Sequence, residues 1–151
     1  MQKKELNVSA IKNGTVIDHI AQGQVERVLY ILNLSKYEDQ IYLGANLDSK
    51  KYGKKGIIKV SNKFFAPDQI SKIALVSPTA TLIEIRDYEV TQKVQVQISD
   101  EIKGLVKCMN PNCITNFEEV PTHFEVTDKN EIVLKCRYCE KNTGKTNIEF
   151  I

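Results

Sequence analysis

Four cysteines carry the sequence's clearest chemistry. Cys108 and Cys113 form a C-x4-C pair, Cys136 and Cys139 form a C-x2-C pair, and 22 residues, 114–135, separate the two. A short spacing lets one turn aim two sulfurs at a single point, and Pro111 between Asn110 and Asn112 favours such a turn. Four thiolates gathered this way satisfy a tetrahedral zinc ion. Buried free thiols and two disulfides are the plainer alternatives. All four cysteines falling into two close pairs argues against scattered thiols, and a reducing compartment argues against disulfides. A closed site of four thiolates leaves the metal no open position for water or substrate, so one structural zinc ion per chain is expected.

Two weaker signals lie upstream. Lys50, Lys51, Lys54 and Lys55 surround Tyr52, Gly53 and Gly56, with Lys59 on the strand beyond. Several ammonium groups on a glycine-containing loop suit a polyphosphate. A solvated hairpin tip has the same composition and is the commoner case. No Walker sequence accompanies the lysines, so an ATPase is not indicated. Asp18-His19 interrupts the apolar stretch Val16-Ile17-Asp18-His19-Ile20. Adjacent strand residues point to opposite faces, so one of the two is expected inward and the other outward. By itself His19 reads as a satisfied core or edge histidine. No Ser, Cys or second carboxylate stands where a catalytic partner would, and no enzymatic activity is expected.

The elements that must position these residues follow from periodicity. Leu6, Val8 and Ala10 alternate as in a strand, Asn13-Gly14 reads as a tight turn, and Thr15–Ile20 is β-branched. Gln22–Leu34 spaces Val25, Leu29 and Leu32 as an amphipathic helix. Strands are predicted at 40–47 and 56–62, joined by a polar loop. A helix opens at Pro67-Asp68 and ends at Pro78, and strands follow at 80–85 and 88–96. The order is that of a split βαβ, ferredoxin-like domain with both helices on one face of an antiparallel sheet. Residues 1–107 contain no cysteine, and the polar Ser99-Asp100-Glu101 marks a boundary. The fold class is therefore α+β, with domains 1–100 and 101–151. In the second, Phe117, Val120, Phe124, Val126, Ile132, Val133 and Leu134 are expected to build a small β-structure around the metal.

Charge narrows the possible functions. Among 151 residues, 21 Lys+Arg face 19 Asp+Glu, a net charge of +2. This balance and the few aromatics near the lysines argue against nucleic acid as a partner. A zinc-ribbon nucleic-acid-binding protein is nonetheless the alternative that shares the four-cysteine module. A zinc hydrolase or deaminase would need an open metal position and a Glu in a His/Cys motif, and neither is present. Met1–Asn7 is polar with no apolar run after it, and no stretch approaches the roughly 20 apolar residues of a membrane helix. A cytoplasmic chain with no membrane partner is expected.

The segments Ala10-Ile11-Lys12-Asn13-Gly14-Thr15-Val16-Ile17-Asp18-His19-Ile20, Gly44-Ala45-Asn46-Leu47, Lys55-Gly56-Ile57-Ile58-Lys59-Val60 and Asp87-Tyr88-Glu89-Val90 resemble the regulatory chain of aspartate carbamoyltransferase. So do Cys108 to Ile114 and Leu134 to Lys141, and the resemblance spans nearly the whole chain. It implies a non-catalytic subunit in the control of pyrimidine biosynthesis, paired with itself through N-terminal domains and with catalytic chains through zinc domains. It implies CTP as inhibitor and ATP as activator, with UTP alongside CTP in some members. By the same resemblance Asp18 and Lys59 contact ribose and base, while Lys93 and His19 contact phosphate. Val8, Ala10, Ile11, Ile57, Ile85, Tyr88 and Val90 wall the nucleotide pocket. Asn110 and Asn112, which have no evident internal role in the sequence, face the catalytic chain. Two positions depart from the pattern: Ser9 replaces a familiar glutamate, and Ile83 replaces a familiar asparagine and removes a polar contact.

Overall fold

Alternating aliphatic residues set the framework of the N-terminal half. In the computed structural model, which describes residues 10–151, the chain divides into two units between Gln97 and Ile98. The first runs β1 (Gly14–Ala21), α1 (Val25–Ile31), β2 (Ile41–Ser49), β3 (Gly53–Ser61), α2 (Pro67–Val76), β4 (Thr81–Arg86) and β5 (Glu89–Gln95). Its strands pair antiparallel in the order β2-β3-β1-β4-β5. The first four are the split βαβ arrangement, and β5 extends the sheet as a hairpin partner of β4. Ile17 and Ile20 of β1 and Ile58 and Val60 of β3 are fully buried, as are Val28 of α1 and Ile73 of α2. These side chains form the main core. Gly56 allows α1 to approach β3, because a Cβ there would fall 2.1 Å from Val25 Cγ2. The residues alternating with the core face the other way. Val16 and Ile57 form a smaller cluster with Ile11, and Tyr42, Leu47, Ile83 and Ile85 pack against it.

The second unit contains β6 (Glu101–Lys103), β7 (Val106–Lys107), β8 (His123–Asp128), β9 (Val133–Cys136), β10 (Asn142–Gly144) and β11 (Glu149–Phe150). A four-stranded sheet has the order β10-β9-β8-β6, and β11 pairs with β7. Ile102, Val106, Phe124, Ile132 and Leu134 are almost fully buried. Among the described residues no helix is long and apolar enough to cross a membrane.

Several sequence expectations need correction. The helix expected over 22–34 is confined to Val25–Ile31, because Gly23 and Asn33 take positive φ (82° and 57°) and a 3-10 turn, Leu34–Lys36, follows. Strand β2 and strand β3 run further into their hairpin than expected, so the polar loop between them shrinks to residues 50–52. Tyr88 does not begin a strand: Asp87 and Tyr88 both have positive φ (54° and 67°) and make the two-residue turn between β4 and β5. Phe117 is not in the core but 70% exposed, because the chain after Cys113 closes a 3-10 turn, Ile114–Asn116, that turns it outward. Leu6 and Val8, the start of the first expected strand, lie outside the described residues, and Ala10 precedes β1 without regular structure.

Candidate functional site

The open face of the first sheet is built by strand register. Tyr42, Lys59, Val16, Ile83 and Lys93 stand opposite one another on β2, β3, β1, β4 and β5. Residues directly opposed across a sheet share a face, so two lysines flank an apolar floor. The neighbouring row carries Asp18, Thr81 and Gln95, and the row on the other side carries Gly14, Ile85 and Val90. Ile11 covers Val16 and Ile57. Tyr88 is tethered beside it, its backbone N–H donating to Lys12 O at 2.9 Å. Ala10, Ile11 and Tyr88, with Ser61 and Asn62, line a recess of about 210 Å³.

Asp18 and His19 occupy a bulge. Ile17 pairs with Ile58 and Ile20 with Gly56, so two residues of β1 face the single Ile57. His19 takes φ 55° there. Its Nδ1 lies 3.1 Å from Thr81 Oγ1, and Thr81 is the strand partner of Asp18. The expectation that Asp18 and His19 point to opposite faces is therefore overturned: the extra residue rotates the imidazole to the side of Asp18. The Asp18 carboxylate accepts from the His19 backbone N–H at 2.7 Å and pairs with Lys55 Nζ at 2.8 Å. Burial pushes the Lys59 ammonium below its ordinary value, and the Asp18 carboxylate pulls it part-way back.

The structure thus brings Ile11, Asp18, His19, Ile57, Lys59, Ile85, Val90 and Lys93 to one face, with Ala10 and Tyr88 at its margin. Val8 and Ser9 lie outside the described residues. Sequence reasoning missed Val16, Tyr42 and Thr81. Val16 was readable, since it stands two residues from Asp18 and strands repeat every two residues. The others depend on register between distant segments.

In the second unit all four cysteines are free, and their Sγ atoms lie within 4.8 Å of one another. Cys108–Cys139 and Cys113–Cys136 are each separated by 3.7 Å. Thiolates about 2.3 Å from a tetrahedral ion stand about 3.8 Å apart, so the cage fits a metal. Cys136 comes from the end of β9 and Cys139 from the turn after it, where the Cys139 N–H points at Cys136 Sγ (3.5 Å). The first knuckle is closed by the Cys113 N–H on Asn110 O (3.0 Å) and by Asn116 Nδ2 on Asn110 O (2.7 Å). Asn110 also accepts from the Asn112 N–H through Oδ1, so it has an internal role that the sequence did not reveal. Asn112 is exposed. Burial pushes the Cys108 and Cys136 thiols up. Burial also raises Cys139, but hydrogen bonds from Asn110, the Lys141 backbone and the neighbouring thiols outweigh it and bring this thiol down to about 7. Binding a cation would drive off the remaining protons.

Two sequence profiles match the chain in succession. One, described as the aspartate carbamoyltransferase regulatory chain, allosteric domain, covers residues 6–97, and the other, the metal binding domain of the same chain, covers 100–149. The chain belongs to the aspartate carbamoyltransferase regulatory chain family. The regulatory chain of Bacteroides thetaiotaomicron is 48% identical over 149 residues, 99% of this chain and 97% of that one. That of Pyrococcus horikoshii is 49% identical over 146 residues (95% and 96%). That of Porphyromonas gingivalis is 44% identical over 151 residues and all of both chains. Regulatory chains of this family are non-catalytic, in keeping with a coordinatively closed cage. The open sheet face falls within the matched allosteric domain, and the four cysteines fall within the matched metal binding domain.

Proposed function

We propose that residues 1–100 bind nucleotide effectors, CTP and ATP and also UTP, on the open face of the sheet. Residues 101–151 hold one structural zinc ion and attach to the catalytic chain of aspartate carbamoyltransferase. The observation that carries the reading is the cross-sheet row in which Lys59 and Lys93 flank the apolar Val16 and Ile83. A base needs an apolar floor, and ribose and phosphate need donors, and this face offers both within a few residues. Lysine donates but cannot accept, so Lys59 suits a base carbonyl or a ribose oxygen, and recognition of an amino group falls to backbone carbonyls near Ile11 and Tyr88. Asp18 accepts from ribose hydroxyls, while Lys93 and His19 meet phosphate. Val8, Ala10, Ile57, Ile85 and Val90 complete the wall. Four thiolates in a tetrahedral cage suit zinc. Exposed Asn112 and the knuckle held by Asn110 face the catalytic chain.

Regulatory chains paired through residues 1–100 then join catalytic chains in a cytoplasmic enzyme of pyrimidine biosynthesis. A nucleotide bound in one domain influences the partner only by favouring one quaternary state, with a coupling of about 1–3 kcal/mol. Calorimetry tests the site. CTP and ATP should compete, and Lys59→Ala should weaken CTP by about 1–3 kcal/mol, the scale of a charge-assisted hydrogen bond. Unchanged CTP affinity would remove Lys59 from the site. Metal analysis should find one zinc per chain, and iron or no metal would overturn that part.

A further inference from the structure

Tyr52 sits at the tip of the β2–β3 hairpin among the exposed residues Lys50, Lys51, Gly53 and Lys54, yet it is itself half-buried. Its ring covers the bulge. The Tyr52 and His19 ring centroids are 5.8 Å apart with the planes at 67°, an edge-to-face pair. Lys51 Nζ lies 5.3 Å from the Tyr52 centroid. The turn is pinned as well, with the Tyr52 N–H donating to Ser49 Oγ at 3.2 Å and the Lys54 N–H to Tyr52 O at 3.0 Å. His19 is therefore held from two directions, by Tyr52 at its ring and by Thr81 at Nδ1 (3.1 Å). With Nδ1 turned to Thr81, Nε2 is the ring nitrogen available to a ligand.

The charges around this end differ from those of the apolar floor. Lys51, Lys54 and Lys55 all lie on the hairpin, where Lys54 pairs with Asp48 at 2.6 Å and Lys55 with Asp18 at 2.8 Å, so three ammonium groups stand against two carboxylates. An anionic group belongs at this end, and a base belongs against Ile83 and Ile85, the part of the apolar floor that stays partly exposed. We infer that Tyr52 is a positioning residue that holds the His19 imidazole for the polyphosphate of a bound nucleotide, so that the site separates triphosphates from monophosphates. This inference rests on the nucleotide reading above.

The test is calorimetry on the full chain with CTP and CMP as probes. The unaltered protein should prefer CTP. Tyr52→Leu should lose about 3- to 10-fold in CTP affinity, the worth of an edge-on ring pair, with CMP changed less than about 2-fold. Tyr52→Phe keeps the ring and should restore the preference. Ser49→Ala, which removes the hydroxyl that pins the Tyr52 N–H and changes no charge, should give the same split in smaller measure and serves if Tyr52→Leu does not fold. The His19 ring-proton resonances of the ligand-free chain should shift in Tyr52→Leu. An equal loss for CTP and CMP, a loss in Tyr52→Phe as large as in Tyr52→Leu, or an unchanged preference in both Tyr52→Leu and Ser49→Ala overturns the role of Tyr52 and leaves the nucleotide site standing. If the unaltered chain binds neither probe, both readings fall.

Discussion

The two units reach a folded state by different means. Among the described residues, nine of the twelve largest fully buried side chains lie in the first unit, including Ile17, Ile58, Ile73 and Leu75, and three in the second, Phe124, Ile132 and Leu134. The first unit wraps two helices and a five-stranded sheet around an ordinary apolar core. The second has short strands, and its buried centre includes Cys108, Cys113 and Cys136. A unit of this size buries too little apolar surface to hold itself strongly, and a bound metal supplies what the core lacks. An aliphatic core holds the sheet from one side and leaves the other to the smaller cluster around Ile11, whereas a metal cage commits its four thiols to structure.

Metal removal should separate the units most widely. Stripping the ion with a thiol-reactive mercurial, or mutating Cys136→Ser with Cys139→Ser, removes metal-linked folding free energy on the order of 10 kcal/mol. Amide exchange should show protection lost across β8 and β9 and kept in β1 and β3; protection retained in both regions would erase the contrast. A smaller effect is expected from Ile58→Ala, about 2–5 kcal/mol for a fully buried isoleucine, read as a lower urea midpoint of the first unit at unchanged metal content. Gly56→Ala should cost about 1–3 kcal/mol, because the added carbon meets Val25, and Gly56→Ala combined with Val25→Ala should recover part of it. The smallest change concerns an exposed pair. Lys54 lies 2.6 Å from Asp48 and, first by hydrogen bonding and then by charge, holds its carboxyl below the ordinary range. A carboxyl depressed in the folded state stabilises above its unfolded pKa, and that contribution disappears as pH falls through the folded pKa. Asp48→Asn should therefore lower the urea midpoint slightly at neutral pH and not at all below the carboxylate range; a difference persisting in acid would assign the effect to something other than charge.

The metal cage was legible in the sequence because its ligands lie close together along the chain, where spacing alone dictates geometry. The order of helices and strands was legible from periodicity. The bulge at Asp18-His19 was not, because it arises where β1 meets the Gly56–Ile57 step of β3, and nothing local in Val16–Ile20 announces an extra residue. The opposition of Lys59 and Lys93 across Val16 and Ile83 was likewise hidden, since register is a relation between segments far apart. Helix α1 was overestimated because Leu32 keeps the helical spacing of Val25 and Leu29 although it already caps the helix, and Asn33 after it adopts a left-handed conformation. The contact of Tyr52 with His19 lay further from reach, since a hairpin tip rich in lysine ordinarily points into water.

The central claim is that a nucleotide bound to the sheet unit reaches the catalytic chain through the metal-held unit. The most direct measurement strips the metal from the assembled enzyme and follows both subunit association and the response of catalysis to CTP and ATP. Separated subunits, with catalysis that persists but no longer responds to either nucleotide, are the predicted result. A metal-free chain that stays bound to the catalytic chain and still confers nucleotide sensitivity would contradict the account.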